Sequence, residues 1–136
     1  MFGFRSNAKV PAAAADALDG HFNEHELKTM SRLGTLIDLD AGATLTVEGQ
    51  IGREALILTE GTAAVSRGDE VIATIGVGAV IGEGSLLLDQ PRNATVVATS
   101  KVTAFVFNPQ EFRSLVHQCP RFAQQIAQLA ADRIPA

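Results

Sequence analysis

Gly76-Val-Gly-Ala-Val-Ile-Gly82-Glu83-Gly84-Ser85-Leu-Leu-Leu-Asp-Gln-Pro91-Arg92-Asn93-Ala94-Thr-Val-Val-Ala98 is the stretch from which the rest of the chain can be read. It holds a glycine-gated acid (Gly82-Glu83), a short apolar turn (Leu86 to Leu88) and a lone arginine beside a proline. A β-branched strand (Thr95, Val96, Val97) follows. In physical terms this is an anion cradle. The first N–H groups of a helical turn near Gly84 and Ser85 lack internal partners and suit a negative group. Arg92 brings a planar fork that matches phosphate oxygens. Glu83 carries acceptors only, which suits a hydroxyl close to that anion. Phosphate, hydroxyl and an adjoining ring together describe a nucleotide.

The ordered set Gly82-Glu83-Gly84-Ser85-Leu86-Leu87, a short gap, then Pro91-Arg92-Asn93-Ala94-Thr95-Val96 resembles the phosphate-binding cassette of the cyclic-nucleotide-binding domain family. A bare Gly-Glu dipeptide would carry little weight; the set at this spacing carries much more. The resemblance extends upstream through Gly42-Ala-Thr-Leu-Thr-Val-Glu-Gly49 and Ala55-Leu-Ile-Leu-Thr-Glu-Gly61-Thr-Ala-Ala-Val65. Gly78 sits where the family has the glycine leading into the cassette. Val102-Thr-Ala-Phe-Val-Phe107 resembles its last strand, so the match covers roughly residues 22–130. It implies that Glu83 holds the ribose 2′-hydroxyl, that Arg92 holds the cyclic phosphate, and that amides around Gly84 and Ser85 add to the phosphate site. The candidate ligand-binding residues are Gly82, Glu83, Gly84, Ser85, Arg92, Asn93 and Ala94.

Composition sets the outer limits. With 136 residues the chain is one domain, able to bury a core but too short for a second folded unit of any size. Hydrophobic residues at 46% and charged residues at 19% are ordinary for a soluble globular chain. A net charge of −4 argues against nucleic-acid binding, which needs a basic face. No apolar run nears the ~20 residues required to span a bilayer, and Met1 to Lys9 lacks a signal-peptide core. The single cysteine, Cys119, forms no internal disulfide, which fits a reducing compartment. A cytoplasmic protein without membrane insertion is expected.

Periodicity divides the chain. Residues 1–20 mix Pro, Ala and Gly and read as a loosely ordered segment, with a short helix over Ala12 to Leu18; the domain occupies 21–134. Asn23 caps a helix with Glu24 and Glu26 in its first turn, Leu27, Met30 and Leu33 at helical spacing, and Gly34 as its stop. Between Leu36 and Phe107 the period becomes two. Leu36–Asp38, Thr44–Val47, Ala55–Leu58, Thr62–Ser66, Glu70–Thr74 and Ala94–Ala98 have strand character, with a hairpin turn at Arg67-Gly68-Asp69. Asn108-Pro109 then caps a helix carrying Phe112, Leu115 and Val116. Cys119-Pro120 ends it. A further helix from Arg121 to about Arg133 places Phe122, Ile126 and Leu129 on one face. The fold class is mainly β with flanking helices: a jelly-roll-like β-roll with an N-terminal helix and a C-terminal helix pair.

Several residues admit a plainer reading beside the sharper one. Gly84 stands where the family has Leu, Ile or Met packing beneath the cassette, which loosens the empty site unless a neighbouring side chain fills the gap. Asn93 follows the arginine where the family often has Ala in cAMP sites and Thr in cGMP sites; asparagine can donate or accept, so it suits either base or plain solvent, and cAMP is expected over cGMP on family frequency alone. A purine lid is expected from Phe122, Ile126, Leu129, Arg133 or Ile134, although such a stripe is more often core or a dimer seam. His21 and His25 are four apart but lack a third ligand, so no metal is expected. Ser85 lacks a His-Asp pair, and the strands hold none of the histidines a metal-dependent cupin enzyme of similar shape would need. No catalytic residues and no cofactor are assigned.

The functional expectation is therefore a stand-alone, non-enzymatic sensor binding cAMP, less readily cGMP, and signalling through its C-terminal helices. No attached effector domain is evident, so a protein effector or a homodimer through the Phe122–Leu129 face would carry the output. The alternative is an interaction module that keeps the fold without responding to nucleotide.

Overall fold

All six residues of the strand Val102–Phe107 are buried, because it has a core on each side. The computed structural model describes residues 5–6, 22–87 and 89–132. A two-residue strand β1 (Arg5–Ser6) precedes helix α1 (Glu24–Leu33), β2 (Thr35–Leu39), β3 (Thr44–Thr46), β4 (Ala55–Glu60) and β5 (Ala63–Arg67). Then come β6 (Glu70–Ile75), β7 (Val80–Ile81), a short helix α2 (Glu83–Leu87), β8 (Thr95–Ala98) and β9 (Val102–Phe107). Helices α3 (Pro109–Gln118) and α4 (Pro120–Asp132) complete the order. The strands form a five-stranded sheet, β1-β2-β9-β4-β7, and a four-stranded sheet, β3-β8-β5-β6, with antiparallel pairing throughout. The expected mainly-β roll with flanking helices is the observed fold. The short helix expected over residues 12–18 lies outside the described residues.

Alternation along β9 and β4 builds both cores. Val102, Ala104 and Val106 face Leu56, Leu58, Leu45, Val96 and Ala98 between the sheets. Phe105, Phe107, Ala55 and Ile57 point the other way, toward Met30, Phe112, Leu115 and Phe122 of the helices. Strands buried on both faces read as continuous apolar runs rather than as alternating ones. Phe107 is the joint between layers. Its ring lies 6.2 Å from that of Phe105 and 6.1 Å from that of Phe112. A Cβ on Gly34 would come within 2.7 Å of Phe107 Cε2, so the residue that ends α1 also makes room for this ring.

The helix starts follow from their caps. Asn23 Oδ1 accepts from Glu26 N at 2.8 Å while Glu26 Oε1 accepts from Asn23 N at 2.8 Å; Asn108 and Glu111 repeat the exchange at α3, with Pro109 at its first position. Glu26 has a second task. It is 1% exposed and accepts from Arg121 Nη2 at 3.0 Å and Nε at 3.3 Å, tying α1 to the start of α4. Glu26→Ala should lower stability by about 2 kcal/mol, or ~7 °C in melting temperature, through loss of the cap and the tie. Glu26→Gln, which keeps an acceptor for the cap, should cost about half as much. Equal melting of all three proteins would refute this role.

Two strands escape the periodicity reading: β1 and β7, each too short to show a period of two. Strand β6 was expected and is present, but its residues Glu70 to Thr74 are all exposed, since it is the edge of its sheet. A register shift, from Val65 opposite Ala73 to Ser66 opposite Val71, leaves Ile72 as the extra residue of a bulge. Bulges of this kind blunt a sheet edge.

Candidate functional site

Two polar backbone bonds place Arg92. Arg92 N donates to Gln50 O at 2.8 Å and Gly49 N donates to Arg92 O at 2.8 Å, either side of a bridge between Ile51 and Pro91. The Pro91-Arg92 loop is thereby zipped to the turn that precedes β4. From there the half-buried side chain reaches inward. Nη2 donates to Glu54 O at 2.7 Å and Nη1 donates to Gly82 O at 3.1 Å. Strand β7, held against β4 by the pairs Leu56–Ile81 and Ile57–Val80, delivers Gly82 to this point. Gly82 takes φ +83°, a left-handed conformation that glycine adopts without strain.

Glu83 opens α2 immediately after Gly82 and is 1% exposed. Burial pulls the Arg92 guanidinium below its ordinary value, while the Glu54 and then the Glu83 carboxylates push it back up. The guanidinium stays charged under all ordinary conditions. Its Nη1 and Nη2 each donate to a backbone carbonyl, that of Gly82 and that of Glu54, which fixes the plane of the fork. The cation and the buried acid therefore meet at Gly82, where α2 begins. That pair suits a ligand with an anionic group and a neighbouring hydroxyl.

The other sequence-derived residues fall around it. Ser85 is buried and Gly84 half-buried in α2. Leu86, one turn on, packs against the helix-side core, giving the cassette an apolar foot despite the glycine at position 84. Ala94 is buried and its carbonyl accepts from Thr46 Oγ1 at 3.1 Å. Asn93 is exposed, and its carbonyl accepts from Arg67 Nε at 3.2 Å. Phe122 and Ile126, offered as lid candidates, sit in the core at 1% and 2% exposure, with Phe122 5.9 Å from Phe22 and 6.1 Å from Phe112. They serve packing here. Arg133 and Ile134 lie outside the described residues.

Two participants were not foreseen: Gly52, against which the guanidinium lies, and Glu54, whose carbonyl anchors it. Their contacts to Arg92 span about forty positions in sequence, beyond the reach of any local pattern. Elsewhere, His25 Nε2 is 3.0 Å from Gln118 O at the end of α3, a contact between helices. His21 lies outside the described residues. Among the described residues no group of three His, Cys, Asp or Glu is placed to hold a metal ion, and no helix is long and apolar enough to cross a membrane. Burial raises the Cys119 thiol above its usual value, the opposite of what a reactive cysteine needs.

Comparison with known proteins decides the family. The family described as "Cyclic nucleotide-binding domain" matches residues 36–119, more than half of the chain, and the match contains Gly52, Glu83 and Arg92. The chain belongs to that family. A cyclic nucleotide-gated potassium channel of Rhizobium etli is 30% identical over 93 residues, covering 68% of this chain and 26% of the channel. Among solved structures, the Thermus thermophilus catabolite activator protein superposes with a TM-score of 0.73 at 21% identity, over 81% of this chain and 54% of the activator. PKAR CBD2 bound to Sp-2Cl-cAMPS gives 0.71 at 21% identity, over 88% and 83%. These two likenesses establish the same β-roll. The cyclic nucleotide-binding domain described here thus spans about a quarter of the channel and about half of the activator.

Proposed function

We propose that this cyclic nucleotide-binding domain is a cAMP sensor, in which Arg92 holds the cyclic phosphate and Glu83 the ribose 2′-hydroxyl. Backbone amides at Gly84 and Ser85 complete the phosphate contact, with Gly82, Asn93 and Ala94 forming the surrounding wall. The observation that carries this reading is the juxtaposition of a half-buried, charged Arg92 with the buried Glu83 across Gly82. Preference for cAMP over cGMP rests on the frequency of cAMP sites in the family; the exposed Asn93 side chain can donate to or accept from either base.

Relay of occupancy is supported by packing. Leu86 of the cassette and Phe112, Phe122 and Ile126 of α3 and α4 share one core. A ligand that orders the cassette changes what that core rests on, and so shifts the population of helix arrangements. The reading is of a regulatory, non-catalytic module acting on a protein effector. The second reading, a nucleotide-independent interaction module, draws on the exposed Val71 and Ile72 at the β6 edge and on the carbonyl partners that Arg92 already has.

The ribose assignment has its own test. Wild-type protein should bind cAMP at least about tenfold more tightly than 2′-deoxy-cAMP, because a charged acceptor for the hydroxyl is worth about 1.5–3 kcal/mol. In Glu83→Ala that preference should fall to near unity. Equal binding of both nucleotides by the wild type would remove Glu83 from the ribose site.

A further inference from the structure

We infer that Gly52 is a positioning residue for the anion site, the absence of its side chain being the space in which the Arg92 guanidinium lies. This rests on the assignment of Arg92 to the ligand's phosphate. A Cβ built on Gly52 would overlap Arg92 Cζ, Nε and Nη2, and one on Gly82 would overlap Nη1. The guanidinium is therefore held in a slot walled by two glycines, with the carbonyls of Gly82 and Glu54 accepting from it.

The two glycines differ in kind. Gly82, like Gly42, Gly49, Gly61, Gly68 and Gly78, has positive φ, so backbone conformation alone accounts for it. Gly52 is not among these, and its backbone accepts an L side chain. What remains to explain a glycine at position 52 is the guanidinium against it. The obstruction is also one-sided. Arg92 is the far end of a flexible side chain, so a methyl group at position 52 evicts the guanidinium without forcing the backbone apart. The fold survives and the fork is lost.

The test compares wild type, Gly52→Ala, Arg92→Ala and the double variant. Affinity for cAMP is read by ligand-detected NMR into the millimolar range, beside melting temperature. Gly52→Ala should weaken binding at least about tenfold while melting within about 3 °C of wild type, since loss of two hydrogen bonds is offset by a less flexible unfolded chain. In the Arg92→Ala background the same substitution should change affinity by less than about twofold, because residues acting through one interaction are non-additive. Where Arg92→Ala binds too weakly to measure, Arg92→Lys, which keeps the charge and loses the fork, replaces it in the cycle. Wild-type affinity in Gly52→Ala alongside a weakened Arg92→Ala would overturn the inference, as would equal weakening in both backgrounds. Wild-type affinity in Arg92→Ala would instead overturn the phosphate assignment beneath it.

Discussion

Phe107→Ala is expected to lower stability by about 3–5 kcal/mol, the range for removing a fully buried aromatic ring, and melting temperature by ~10–17 °C. The ring is wholly buried where β9 meets the helices, against Phe105 and Phe112, and in the space left by Gly34. None of these neighbours can collapse into the void without moving a sheet or a helix, so a large cavity term is expected. Thermal unfolding followed by circular dichroism checks it. Saturating cAMP should recover part of the loss, since a ligand at about a hundredfold excess over Kd adds about 2.7 kcal/mol to the folded state. A fall of only a few degrees would mean that the helix layer is not seated through Phe107.

The second large effect is on binding. Arg92→Ala should weaken cAMP affinity by about 10- to 150-fold, matching the ~1.5–3 kcal/mol of a charged hydrogen bond. Melting of the unliganded protein should change little. The two carbonyls that Arg92 serves lie at a half-buried position where water can replace the guanidinium, and the Pro91–Arg92 loop keeps its backbone bonds to Gly49 and Gln50. Arg92→Lys should recover only part of the affinity, because an ammonium lacks the fork. Isothermal titration of the three proteins reads the effect. Unchanged affinity in Arg92→Ala would move the phosphate elsewhere.

Local chemistry was the legible part of this chain. The short helical turn after Gly82, the caps at Asn23 and Asn108 and the break at Cys119-Pro120 all depend on residues within a few positions of one another. They appear in the fold as the sequence implies. Strand β9 was legible as a strand, but not as the wall between two cores, because an apolar run does not say how many of its faces are covered. Distant meetings were illegible. Gly52 looks like one more turn glycine until Arg92 is seen lying against it, and Glu26 looks like a first-turn acid until Arg121 arrives from α4. The stripe Phe122–Ile126 was ambiguous between lid, seam and core for the same reason, and the rings of Phe22 and Phe112 account for it as core.

Cyclic-nucleotide sensing is most directly tested by isothermal titration of the chain with cAMP and, separately, with cGMP, beside melting curves with each ligand. Micromolar or tighter binding of cAMP, weaker binding of cGMP and a raised melting temperature with cAMP are the predicted results. No heat and no change in melting temperature with either nucleotide would contradict the account, and would leave a β-roll whose Arg92 and Glu83 serve the fold alone.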